Sequence, residues 1–141
     1  MDKLNQSFQE VLHQRGFQMK VTSAEQQLTY KSRLALDDGV LVDFAVQVPV
    51  SDTREVIQLV FDNLLTCPDQ AQRSVFLDML NHINVTFGIY FYFALREDGT
   101  VFARYMLPVD PDRTEVIMEL AQTGSHLIKQ VRELLIDTLI Q

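Results

Sequence analysis

Three histidines, one cysteine and 19 acidic residues are the side chains here that could carry metal binding, nucleophilic attack or proton transfer. His13, His82 and His126 fall on three different predicted helices, each without a second ligand at i+3 or i+4. A zinc site needs three or four convergent ligands, so each histidine is expected to be solvated or hydrogen-bonded at a helix surface. Cys67 is the only thiol, which excludes an internal disulfide and a cysteine-based metal site. A nucleophilic cysteine needs an activating base and an oxyanion site, and no Cys–His pairing is visible, so Cys67 reads as partly buried and inert. Asp37, Asp38, Asp69, Asp98 and Asp110 stand where turns and helix starts are predicted, the usual local work of short carboxylates. There is no glycine-rich phosphate loop, dinucleotide fingerprint or G-x-S-x-G elbow. The expectation is a protein that is not an enzyme and uses no metal or cofactor.

The charge balance is 12 Lys+Arg against 19 Asp+Glu, a formal net charge of −7, with no basic run. Nucleic-acid binding draws on clustered Lys and Arg that displace counterions from phosphates, so no nucleic-acid partner is expected. The opening residues Met1-Asp2-Lys3-Leu4-Asn5-Gln6 lack the apolar stretch of a secretory signal. The longest apolar run, Ile89 to Leu95, falls far short of the ~18 residues of a membrane span. The chain therefore reads as cytoplasmic, without a membrane partner. Its 141 residues read as one domain, 1–141, able to bury its own core.

The elements that must build this domain follow from periodicity. Leu4, Phe8, Val11 and Leu12 give residues 3–15 an apolar helical face, and Gly16 suits the left-handed residue after it. Residues 28–36 place Leu28, Tyr30, Leu34 and Leu36 on one face. Residues 40–50 place Val40, Val42, Phe44, Val46, Val48 and Val50 together. With Asp37-Asp38-Gly39 between them, these runs form a β-hairpin with one buried face. Residues 54–65 fit a strand through Ile57, Leu59 and Phe61, or a helix through Ile57, Val60, Phe61, Leu64 and Leu65. Extension of the hairpin favours the strand.

Pro68 and Asp69 open a second helix that should end near Asn84, where Val85-Thr86-Phe87-Gly88 turns strand-like. Strand 87–95 then sets Phe87, Ile89, Phe91, Phe93 and Leu95 against Tyr90, Tyr92 and Ala94. Glu97-Asp98-Gly99 turns it into strand 100–107, where Val101, Ala103, Tyr105 and Leu107 oppose Phe102, Arg104 and Met106. Pro108 stops that strand, and Asp110-Pro111 starts a final helix that either breaks at Thr123-Gly124-Ser125 or lies across the whole domain; one long helix, bent at Gly124, is the expectation. The predicted fold class is α+β: an antiparallel sheet of about five strands in the order α-β-β-β-α-β-β-α, with helices packed on it and a long C-terminal helix.

Two regions carry more apolar area than one core face needs. The second helix presents Val75, Phe76, Met79, Leu80 and Ile83, and the second hairpin adds Tyr90 and Tyr92 on its other face. Together these seven residues are the expected dimer or partner interface. On that expectation, replacing Phe76 or Met79 by Asp breaks a dimer and leaves the chain folded.

The stretch Leu77 to Asn84 (L-D-M-L-N-H-I-N), followed by an aromatic strand, the turn Asp98-Gly99-Thr100, then Arg104-Tyr105 and Leu107-Pro108, resembles the YbjN-like family of sensory transduction regulators. In that family a helix ending N-x-x-N leads into a hairpin of this kind, so Asn81, Asn84, Asp98, Gly99, Arg104, Tyr105 and Pro108 occupy the motif. The element order is similar to the type III secretion chaperone-like fold. The resemblance implies a small cytoplasmic homodimer that holds or regulates a protein client. Asn81 and Asn84 also read physically, as residues on one helix face that can satisfy carbonyls freed at a helix end. An alternative function is a small-ligand sensor with a pocket between the sheet and the final helix, lined by Phe44, Tyr90 or Tyr105.

Overall fold

The computed structural model of the chain describes residues 3–36, 39–50, 56–88, 90–108 and 110–140. The expected turn residues Asp37 and Asp38, and Ile89 of the expected aromatic strand, lie outside the described residues. Helix α1 (Lys3–Gln14) buries Leu4, Phe8 and Leu12, the predicted stripe. It ends in a Schellman motif: Gly16 adopts φ +65°, Phe17 N–H donates to the Leu12 carbonyl at 2.9 Å, and Gly16 N–H donates to that of His13 at 3.1 Å.

A six-stranded antiparallel sheet follows: β1 (Lys20–Ala24), β2 (Gln27–Ala35), β3 (Leu41–Pro49), β4 (Val56–Asp62), β5 (Tyr92–Leu95) and β6 (Val101–Pro108), in spatial order β1-β2-β3-β4-β6-β5. The expected hairpin is β2–β3, and the ambiguous segment is strand β4, with Ile57, Leu59 and Phe61 fully buried. The expected count of about five strands omitted β1. All five of its residues are exposed, so neither face is buried and no alternation marks it.

Helix α2 (Arg73–Phe87) is preceded by a 3-10 turn, Gln70–Gln72, capped as expected by Asp69, whose side chain accepts from Gln72 N–H at 2.9 Å. The helix runs nearly one turn beyond the predicted end at Asn84; Val85 and Thr86 are exposed there, and Phe87 packs partly buried against the core. Gly88 ends it, and a Cβ there would collide with the Asn84 carbonyl. Strand β5 correspondingly starts at Tyr92 rather than at residue 87. After β6, which includes Pro108 as its last residue, Asp110 caps a 3-10 turn, Pro111–Arg113. Helix α3 (Glu115–Ile140) then runs unbroken through Gly124 for 26 residues, about 39 Å at 1.5 Å per residue.

Register puts Tyr30, Val46, Leu59 and Tyr105 in one cross-strand row, and Phe44, Phe61, Ala103 and Phe93 in the next. These rows face the helices. Phe8 of α1 meets Tyr30 edge to face at 4.8 Å between ring centres. An ideal Cβ on Gly124 of α3 would stand 2.8 Å from Phe61 Cε2 and 2.9 Å from Phe91 Cε2, so only glycine lets the helix lie this close to the rings. One buried polar node joins the layers: Asn5 Nδ2 donates to the Pro49 carbonyl at 3.0 Å, and Tyr30 Oη donates to Asn5 Oδ1 at 2.8 Å. Asn5 is fully buried, as a buried polar side chain can be when it is hydrogen-bonded.

Candidate functional site

Because the buried residues of α1, α2 and α3 join one cluster with the inward rows, the opposite face of the sheet carries no described helix. That outer face is a shallow trough of about 770 Å³ crossing β2, β3, β4 and β6. Its floor is Ala45 and Val60, which are direct neighbours across β3 and β4. Thr29, Gln47 and Gln58 form one polar row beside this floor, with Met106 at its β6 end. Lys20, Lys31, Ala45, Val60, Arg104 and Tyr92 form the next row.

Charge on this face is unlike that of the whole chain. Among the described residues five cations, Lys20, Lys31, Arg33, Arg96 and Arg104, stand here with two anions, Asp43 and Asp62, in a chain of net charge −7. Asp43 pairs with Arg33 at 3.3 Å and also accepts from Asn63 Nδ2 at 2.6 Å. Asp62 pairs with Arg96 at 2.5 Å. Among the described residues Lys20, Lys31 and Arg104 have no carboxylate partner. Arg104 donates from Nε to the Tyr92 hydroxyl and lies 5.0 Å over that ring, while Arg96 lies 4.1 Å over Phe102. Tyr92 and Phe102 of the second hairpin are therefore capped by guanidinium groups, a stacking favourable to Arg. Strand β6, beside β5, supplies the cation that the Tyr92 strand itself lacks.

The seven residues expected at an interface divide. Phe76, Leu80 and Ile83 are buried within the chain and Met79 packs partly buried against its core. Val75, Tyr90 and Tyr92 are exposed. The expectation that Phe76→Asp leaves a folded chain is corrected by this placement, since Phe76 has no exposed surface.

The motif residues are mostly structural. Asn84 holds strand β5: its Nδ2 donates to the Phe93 carbonyl at 3.0 Å and its Oδ1 accepts from Phe93 N–H at 2.8 Å. Asn81 is exposed one turn earlier. Asp98 accepts from Thr100 N–H at 3.0 Å and from the Thr100 hydroxyl at 2.7 Å, which holds its carboxyl below the usual aspartate range. Gly99 takes φ +92° and packs against the Cys67 backbone. Tyr105 lies on the inner face, 5.7 Å from Phe91 and 6.0 Å from Tyr90 by ring centres. Only Arg104 of the motif lines the trough.

A second cavity, about 270 Å³, does lie between the sheet and α3. Phe44 lines it together with Phe17, Leu34, Met118 and Ala121, with Arg15 at its edge; Tyr90 and Tyr105 do not. His13, His82 and His126 are all exposed, and Cys67 is buried with its thiol donating to the Asp69 carbonyl at 3.3 Å. Among the described residues no three His, Cys, Asp or Glu side chains converge as a metal site would require, and no helix is long and apolar enough to cross a membrane.

The trough residues Lys31, Gln47 and Gln58 escaped the sequence reading, and Arg104 entered it only through the motif. Their signal was present, as polar positions alternating with buried ones on paired strands, but only register brings them into rows. Neither a family model nor a curated protein matches this chain.

Proposed function

We propose that the protein is a non-enzymatic binding module that receives a protein partner on the outer face of its sheet. The observation that carries this is the uncovered trough, with a small apolar floor between polar and cationic rows on a rigid sheet. Binding surfaces need an uncovered area with both apolar and hydrogen-bonding groups, and the trough has both. The resemblance to the YbjN-like regulators, and to chaperones of the type III secretion fold, agrees with a cytoplasmic regulatory or client-holding role as a homodimer. Exposed apolar side chains on and after α2, Val75, Leu77, Val85 and Tyr90, supply area for self-association.

Ala45→Trp tests the reading, because it fills the floor from the solvent side without entering the core. A stoichiometric client retained from native lysate by the wild-type chain should be lost from this variant. Retention by the variant overturns the assignment of the face. Sedimentation velocity tests the homodimer.

The 270 Å³ cavity favours a second reading, a sensor of small amphipathic ligands. A ligand that binds only the folded chain raises its melting temperature. No response across a metabolite screen counts against it.

A further inference from the structure

We infer that the partner segment received on the outer face is acidic, its carboxylates pairing with Lys31 and Arg104 across the Ala45–Val60 floor. This rests on the reading of that face as the binding surface and names the chemistry it selects.

Lys20 and Lys31 are direct cross-strand partners on the same face. Like charges placed so are destabilising. A fold that needed only solubility there gains nothing from that pairing, whereas an incoming carboxylate relieves it. Arg33 and Arg96 already have carboxylate partners in Asp43 and Asp62. Lys20, Lys31 and Arg104 have none among the described residues, and they lie in a single row.

Three strand steps separate Lys31 from Arg104, about 14 Å at ~4.8 Å per step. An extended segment rising ~3.4 Å per residue covers that distance in about four residues. Acidic side chains four apart lie on one face of such a segment and reach both cations. Gln47 and Gln58 stand beside this path with amide donors and acceptors suited to a peptide backbone.

Nucleic acid is the other polyanion such a row could attract. Two observations disfavour it. The rings that bases would stack on, Tyr92 and Phe102, already have guanidinium groups over them. The chain as a whole, at −7, repels a long polyanion while tolerating a short acidic stretch.

The test uses fluorescence anisotropy of the full chain with three probes: a labelled Asp/Glu-rich peptide, its Asn/Gln counterpart, and an oligothymidine of matched charge. The acidic peptide should bind in preference to both others, with affinity falling as salt rises. Lys31→Gln combined with Arg104→Gln should weaken it about tenfold or more. Lys20→Gln with Lys31→Gln is the second variant; both side chains are exposed and outside the core, so it keeps the fold, checked by circular dichroism. Equal binding of the Asn/Gln peptide, tighter binding of oligothymidine, or unchanged affinity in both variants overturns the inference. The two readings fail separately. A client lost by Ala45→Trp but kept by the charge variants leaves the face as the binding surface and removes its acidic preference. A client kept by Ala45→Trp removes the surface itself.

Discussion

The side-chain amide of Asn84 makes with Phe93 the two hydrogen bonds that a neighbouring strand would make, donating to its carbonyl at 3.0 Å and accepting from its N–H at 2.8 Å. Strand β5 is an edge of the sheet, and an edge leaves backbone groups unpaired and open to other chains. Asn84 occupies that position at Phe93 and ties the last turns of α2 to β5. The opposite edge, β1, has no such cover among the described residues and is exposed along its whole length.

Asn84→Ala removes both bonds and leaves a part-buried donor and acceptor. A loss of about 1–3 kcal/mol is expected from chemical denaturation. Amide exchange at Phe93 should accelerate more than at Ala103, its partner on β6. An unchanged Phe93 exchange rate contradicts the bracing role.

Gly124→Ala separates helix propensity from packing. In an exposed helix this change stabilises by up to ~1 kcal/mol. Here the new methyl meets the rings of Phe61 and Phe91 at 2.8–3.0 Å. Overpacking of this kind costs about 1–3 kcal/mol, so net destabilisation is expected in a thermal melt. Stabilisation would mean that the rings yield freely.

Phe76 and Val75 are adjacent in sequence and opposite in consequence. Phe76 is 0% exposed and Val75 is 39% exposed. Phe76→Asp loses a buried ring, worth about 3–5 kcal/mol, and adds the cost of burying a carboxylate. An unfolded chain is expected by circular dichroism. Val75→Asp should fold normally, and if the outside of α2 forms a dimer contact it should sediment as a monomer.

Asp98 makes stability depend on acid pH in a defined direction. Hydrogen bonds from Thr100 favour the ionised carboxyl, so its value in the fold lies below that in the unfolded chain. The stabilisation is complete above the unfolded value of about 3.9 and is lost as pH falls through the depressed folded value. Asp98→Asn should therefore narrow the stability gap to wild type only in that acid window. Carboxyl titration by NMR checks the direction; a midpoint at or above the usual aspartate range rejects it.

Much of the fold is legible in the sequence. Leu4, Phe8 and Leu12, the alternating valines of β3, and the turn at Gly99 each carry a pattern that burial or backbone geometry imposes on residue type. Where burial imposed no pattern, the reading failed. Strand β1 is exposed on both faces and so has no alternation to read. The end of α2 is misplaced because Val85, Thr86 and Phe87 favour a strand locally, whereas in the fold they continue the helix, with Phe87 packed against the core.

The candidate site shows the same division. Residue types alone set an α+β chain with a buried sheet face, since periodicity encodes which side meets the core. They also placed cations on several strands, but scattered along the chain. Only tertiary structure decided that Lys20, Lys31 and Arg104 share one row, that Asp43 and Asp62 neutralise the cations beside it, and that no described helix covers the face. The physical reason is that strand register and layer order are long-range choices. A one-residue slip in pairing turns every side chain to the other face, and nothing in the local sequence of β2 or β6 says which two strands will lie between them.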